Sequence, residues 1–265
     1  MRVLKEGEYF GQSLQAYENN LFKLSVTSYG KNSQVEKHYH ENNYLSILVA
    51  GHYTETSCKD ESLVISGDIL YRPKDYTHQN LFKHAGGTCF NIEFKPDWEK
   101  YFDHHLRLPA HYTHFKAGSF PGLYRLLTNF NSHRCEDLYL ETLCDWYFRL
   151  NRTHTTRGVF PWMDKVSTIL EQELDSFHSL ASLSERVFVH PVYLARAFKE
   201  RKGVTIGEYQ LHMKLSHAIS LLLNTSLSIS AISFRNGFFD DAHFIRSFKS
   251  AYGLSPARFR LLAKS

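Results

Sequence analysis

The segment that most constrains this chain runs from Leu227 to Lys249, LSISAISFRNGFFDDAHFIRSFK. It reads as a short helix, a turn and a second, amphipathic helix, the form that lays one helix in a DNA major groove. Ile229 and Ile232 take the buried face of the first helix. Gly237 supplies the turn, where a residue without Cβ adopts a left-handed conformation cheaply. Phe238 packs the turn into the core. Ala242, Ile245, Phe248 and Lys249 then repeat at helical spacing, with Phe244 also inward. Asp240, Asp241, His243, Arg246 and Ser247 occupy the opposite face. An acidic first turn suits the helix dipole and can accept from cytosine N4, while Arg246 can reach guanine or phosphate.

A weaker copy lies about fifty residues upstream. Leu180 to Val187 form its first helix, Phe188 to His190 the turn, and Pro191 to Lys199 the start of its second helix. Pro191 fits a first helical position, where its missing N–H costs nothing. Leu194, Ala197 and Phe198 point inward. Val192, Tyr193, Arg196 and Lys199 are left as candidates for DNA contact, beside Asp240, Asp241, His243, Arg246 and Lys249 downstream. Leu211, Leu215, Ala218, Ile219 and Leu222 stripe a helix between the copies, which sets their separation.

Charge follows the same division. The net charge is +4, and all of it lies from Phe160 onward; the rest is neutral. The basic excess thus sits where a polyanion would be met. At 265 residues the chain has room for two cores, and 43% apolar content excludes disorder. Cys58, Cys89, Cys135 and Cys144 have no metal-ligand spacing and read as reduced thiols. No leader or membrane-spanning run is seen, so a cytoplasmic protein without membrane association is expected.

Residues 21–94 change character every few positions. Leu45 to Gly51 is a strand ending at a glycine, Leu63 to Tyr71 is two strands around Gly67-Asp68, and Gly86-Gly87 precedes an alternating strand, Thr88 to Phe94. Short strands with close turns predict an antiparallel barrel or jelly roll. From 121 to 150 the period becomes helical: Leu123, Leu126, Leu127 and Phe130, then Leu140, Leu143, Cys144, Tyr147 and Phe148. These helices would cover the barrel or form a dimer contact. Residues 151–161 are polar, broken by Gly158 and Pro161, and read as a linker. Met163, Val166, Ile169, Leu170 and Leu174 open the helical remainder.

The last hundred positions resemble the DNA-binding domain of the AraC/XylS (arabinose-regulator) family of bacterial transcription regulators. The resemblance is carried by Tyr193 to Lys199, Leu221 to Leu223, Ile229 to Ser233, Gly237-Phe238, Phe244 to Lys249 and Tyr252 to Arg260. It implies two helix-turn-helix subdomains joined by a long helix, each reading one of two successive major grooves. Double-stranded DNA, a second copy of the chain and RNA polymerase are the macromolecular partners it implies. Ser184 and Ser233 depart from the family's usual alanine, Asn236 from a small apolar residue, and His190 from serine. A hydroxyl is tolerated there if it bonds a carbonyl one turn back.

In the N-terminal half, His38-Tyr39-His40, Tyr44 and Gly51 resemble the first cupin motif, with Tyr44 replacing glutamate. Gly67 to His78 resembles the second, with Asp75 replacing glycine. The fold class expected is two-domain α+β. A cupin-like antiparallel β-barrel with accessory helices would occupy 1–150, and an all-α domain with two helix-turn-helix subdomains 162–265. The resemblance implies no cofactor and no catalysis, with the barrel reserved for a small-molecule effector. His38, His40, Tyr44, Tyr71, Arg72 and His78, together with Glu41, are the effector-site candidates. Two alternatives stay open. The barrel is either a ligand-free dimerisation module of a constitutive regulator, or a metal-binding enzyme in which His38, His40 and His78 converge on one ion.

Overall fold

The computed structural model describes residues 2–57, 60–102, 107–130, 136–152 and 160–264. Two compact units emerge: Met1–Ser119 with Leu261–Ser265, and Phe120–Arg260. Among the described residues, no helix is long and apolar enough to cross a membrane.

The first unit is built on β1 (Arg2–Leu4), β2 (Gln12–Glu18), β3 (Phe22–Tyr29), β4 (Gln34–His40), β5 (Tyr44–Ser57), β6 (Glu61–Ile65), β7 (Ile69–Arg72) and β8 (His78–Phe94). The short helix α1 (Asp97–Tyr101) and strand β9 (Thr113–Phe115) follow. The central path runs β1-β4-β8-β5-β7-β9, with β2 and β3 added on β8 and β6 on β5. All these pairs are antiparallel except β1 with β4. The path ends in two three-residue strands that do not pair with each other. The expected closed, cupin-like barrel is therefore corrected to a half-barrel.

Glycine explains a second correction. Leu45 to Gly51 and Thr88 to Phe94 read as separate short strands, because Gly51 and Gly86-Gly87 look like terminators. Instead β5 runs through Gly51 and β8 through Gly86 and Gly87, with Gly51 opposite Gly87. A Cβ on Gly51 would stand 2.2 Å from the Gly86 carbonyl oxygen, and Gly51 has φ +87. The register slips on either side of Gly51. These glycines bend long strands and let two backbones meet, which is the other use of glycine in a sheet. The expected strand pair around Gly67-Asp68 is present as β6 and β7.

The second unit is helical: α2 (Pro121–Phe130), α3 (Glu136–Arg152), α4 (Pro161–Gln172), α5 (Leu180–Val187), α6 (Pro191–Lys202), α7 (Ile206–Asn224), α8 (Ile229–Arg235), α9 (Asp241–Tyr252) and α10 (Pro256–Lys264). The expected stripes hold in large part. Leu123, Leu126, Leu127 and Phe130 are buried on α2, as are Met163, Val166, Ile169 and Leu170 on α4. Phe148 is the exception: it is exposed, and Tyr139, Leu143, Trp146 and Tyr147 carry the buried face of α3. Helix α2 packs on α9, with Arg125 donating to the Ser250 carbonyl at 2.7 Å and Tyr124 edge-on to Tyr252. The helices at 121–150 thus cluster with the C-terminal half, although the reading assigned them to a domain ending at 150. Most of the linker expected at 151–161 lies outside the described residues.

Replacing Gly51 by alanine forces a side chain into positive φ against a carbonyl. Gly51→Ala is expected to lose at least about 2 kcal/mol, read as an earlier midpoint in chemical denaturation.

Candidate DNA-contacting helices and the histidine cluster

The two helix-turn-helix pairs are built from the same parts. Ser179 and Ser228 cap the first helices, accepting from the backbone N–H of Ser182 and Ala231. Such a cap satisfies one of the donors orphaned at a helix start. From there the copies align with an offset of 49 through Leu183 and Ile232, then of 50 through Leu194 and Phe244, Phe198 and Phe248, Gly203 and Gly253. The downstream turn is therefore one residue longer. Phe188 turns the upstream chain in a left-handed conformation at φ 56, and Gly237 does so downstream at φ 59.

The same offset of 50 superposes the outward faces. Val192, Tyr193, Arg196 and Lys199 answer to Ala242, His243, Arg246 and Lys249, and all eight side chains are exposed. Leu194, Ala197 and Phe198 are buried beneath one set, Phe244, Phe248 and Tyr252 beneath the other. Each fully buried large apolar chain contributes about 1.5–3 kcal/mol, so the outward faces rest on well-anchored helices. Ala242 and Ile245, expected inward, face out. The inward stripe takes one residue per turn, Phe244, Phe248 and Tyr252, and those ring contacts fill the core.

Two candidates take on structural work. Asp240 is the N-cap of α9, accepting from the His243 N–H at 2.6 Å. Asp241 accepts from the Ser230 hydroxyl, tying α9 to α8. The family departures are also accommodated. The Ser184 hydroxyl donates to the Ala181 carbonyl at 2.7 Å. Buried Asn236 donates to the Ile232 carbonyl at 2.7 Å and meets His217 Nδ1 at 2.8 Å. His190 caps α6 without a side-chain bond.

Residues that the pattern did not single out hold the pairs together. Lys214 is buried and donates from Nζ to the Gly237 carbonyl at 2.8 Å, and Gln210 donates to the Ser176 carbonyl at 3.1 Å. Gly237 itself lies against Asp175, where a Cβ would stand 2.2 Å from the carbonyl oxygen. The signal for Lys214 was legible: it is a charged residue three positions after Leu211 and four before Ala218, within an apolar stripe.

In the first unit, alternation along the strands gathers a polar interior. His38 and His40 are two apart on β4, and His38 is the register partner of His78 on β8. Tyr44 on β5 pairs with Arg72 on β7. These five residues line one small cavity of about 20 Å³, together with Tyr9, Tyr53 and Asn80. Tyr71 does not join them. It is on the other face of β7, donating to Asn43 Oδ1 and the Pro109 carbonyl. Glu41 is exposed.

Arg72 is fully buried and is held by Glu55 and, at 2.9 Å, by the Tyr53 hydroxyl. The Glu36 carbonyl accepts from His38 Nδ1 at 2.7 Å, and the Tyr76 carbonyl from His78 Nδ1 at 3.1 Å. Those bonds leave both Nε2 atoms as acceptors. Burial keeps the Tyr44 phenol protonated, so it donates to His78 Nε2 at 3.2 Å. Burial pushes His38 down to about 4, against the pull of the Glu36 carbonyl. Burial, with His38 and Arg72 adding, takes His40 to about 3. Burial and then Arg72 hold His78 well below the usual imidazole range.

If Asp240 works as a cap, Asp240→Ala lowers stability by about 0.5–2 kcal/mol, and Asp240→Asn, which also caps, restores most of it. Thermal melts of the two variants side by side check this.

Comparison with known proteins places these helices among relatives. Residues 183–261 match the family model of a helix-turn-helix domain. The bifunctional transcriptional activator/DNA repair enzyme AdaA of Bacillus subtilis is 30% identical over 103 residues, covering 39% of this chain and 49% of that protein. The arabinose operon regulatory protein of Salmonella typhimurium is 30% identical over 97 residues, covering 37% of this chain and 34% of that protein. Its Escherichia coli counterpart is 25% identical over 210 residues, covering 72% of this chain and 62% of that protein. This chain spans less than two thirds of the length of each of them.

Proposed function

We propose that this chain, whose C-terminal part is a helix-turn-helix domain of the AraC/XylS type, is a sequence-specific DNA-binding transcription regulator. The observation that carries the reading is the pair of matched outward faces. Arg196 and Arg246 stand at equivalent places on α6 and α9, as do Lys199 and Lys249, and all four are exposed. An arginine reads guanine through two hydrogen bonds, while a lysine one turn further on meets phosphate. Val192 and Ala242 offer apolar contact to a thymine methyl. Tyr193 and His243 differ most in chemistry, so they would set the two half-sites apart.

Asp240 and Asp241 serve this face indirectly, by starting α9 and binding it to α8. The first unit would bias the DNA-binding state through a bound effector, as a shift of populations without chemistry. Within that unit His38, His40, Tyr44, Arg72 and His78 line a cavity of about 20 Å³, room for an ion or a water rather than an organic molecule. Pairing of two copies and contact with RNA polymerase follow from the family resemblance alone.

The full chain, titrated with the DNA upstream of its own gene by fluorescence anisotropy, is expected to bind far more tightly than to random DNA. Equal affinities would sink the reading. Arg196→Ala and Arg246→Ala each cost about 1–3 kcal/mol on the specific fragment and relax preference in different half-sites. Lys199→Ala weakens all sequences alike and reduces the slope of log affinity against log salt by about one.

A further inference from the structure

We propose that His38, His40 and His78 form a binding site for one divalent transition-metal ion, with the Tyr44 hydroxyl beside it. The ligand atoms of the three histidines all lie within 4.8 Å of one another, and all three side chains are buried. Ligands on one ion at about 2.1 Å stand roughly 3.4–4.2 Å apart, so filling the site draws the rings inward by less than about an ångström.

Three observations point the same way. First, the cavity these residues line measures about 20 Å³. A single water needs about 10–15 Å³, so the space suits one ion or one water and is far below the roughly 300 Å³ at which organic-ligand pockets begin. Second, His38 and His78 each anchor Nδ1 on the backbone carbonyl two residues earlier, Glu36 and Tyr76. That is the outer-shell arrangement that fixes the tautomer of a metal-ligating imidazole and frees Nε2.

Third, His40 Nδ1 is buried without a hydrogen-bond partner, a cost that ligation through that nitrogen would remove. The nearby positive charge is already answered: Arg72 is bound by Glu55, both buried. A set of neutral imidazoles suits zinc, copper, nickel or iron(II). The inference departs from the sequence expectation of no cofactor. It stands on the first unit alone, whatever the helices of the second unit bind.

The test uses the full chain, stripped with a chelator and titrated with Co(II) and with Zn(II). Visible d–d absorption should grow to saturation at one Co(II) per chain, and Zn(II) should displace it and raise the melting temperature. His38→Gln combined with His78→Gln should weaken binding at least 100-fold, with near-ultraviolet dichroism confirming the fold. Tyr44→Phe should keep the ion and alter the band intensities. Absence of saturable binding, or binding that persists unchanged in the double variant through other histidines, overturns the proposal. If the double variant fails to fold, the decision passes to the wild-type spectrum: bands lacking imidazole-nitrogen ligation overturn it equally.

Discussion

The contact on which the second unit depends is the Lys214 ammonium on the Gly237 carbonyl, 2.8 Å apart. Burying an ammonium is costly unless its bonds are replaced, and here burial lowers the lysine below its usual range. The bond places the middle of α7 on the turn between α8 and α9. The same turn meets Asp175, on the loop between α4 and α5, at a distance only glycine permits. Gln210, one helical turn before Lys214, holds the next carbonyl of that loop, at Ser176. Upstream loop, linking helix and downstream turn thus share one junction. Two helix-turn-helix pairs on a flexible tether would sample many spacings; joined this way they keep one.

The first unit is organised on a different balance. Its half-barrel interior holds three histidines, an arginine, a glutamate and an asparagine where an ordinary core would be apolar. Burying such groups is costly where they go unpaired, as His40 Nδ1 and Glu55 Oε1 do. Alternation, shifted in phase at the bulges beside Gly51, brings side chains of β3, β4, β5, β7 and β8 inside, where most of them bond one another. Ser46 donates to Asn91, Asn91 to Thr27, and Arg72 to Glu55 and Tyr53. A network of this kind specifies one register, because a slip of one residue would turn every member outward.

Legibility in the sequence followed the range of the forces involved. The helices and the inward residues Leu194, Ala197 and Phe198 of α6 are local, so spacing alone revealed them, whereas on α9 spacing placed Ala242 and Ile245 inward and they face out. Serines at 179 and 228 and the aspartate at 240 sit where a cap must be. The course of β5 and β8 was misread because a glycine looks the same whether it ends a strand or lets another strand touch it. Only the partner, here Gly51 against Gly86 and Gly87, distinguishes the two. Closure of the barrel was likewise a non-local property. Tyr71 and Arg72 were both effector-site candidates, but strand alternation puts them on opposite faces.

Equivalence between the two outward faces is what the structure adds to the helix-turn-helix pattern. Asp240 caps α9 and Asp241 is bound to Ser230, so the acidic start has a part in building the helix. Arg246 and Lys249 stand where Arg196 and Lys199 stand upstream. The extra residue of the downstream turn lies between Gly237 and the Asp240 cap, where upstream Val189 alone separates Phe188 from the cap His190. Pro191 then starts α6 with its dihedral angle already set.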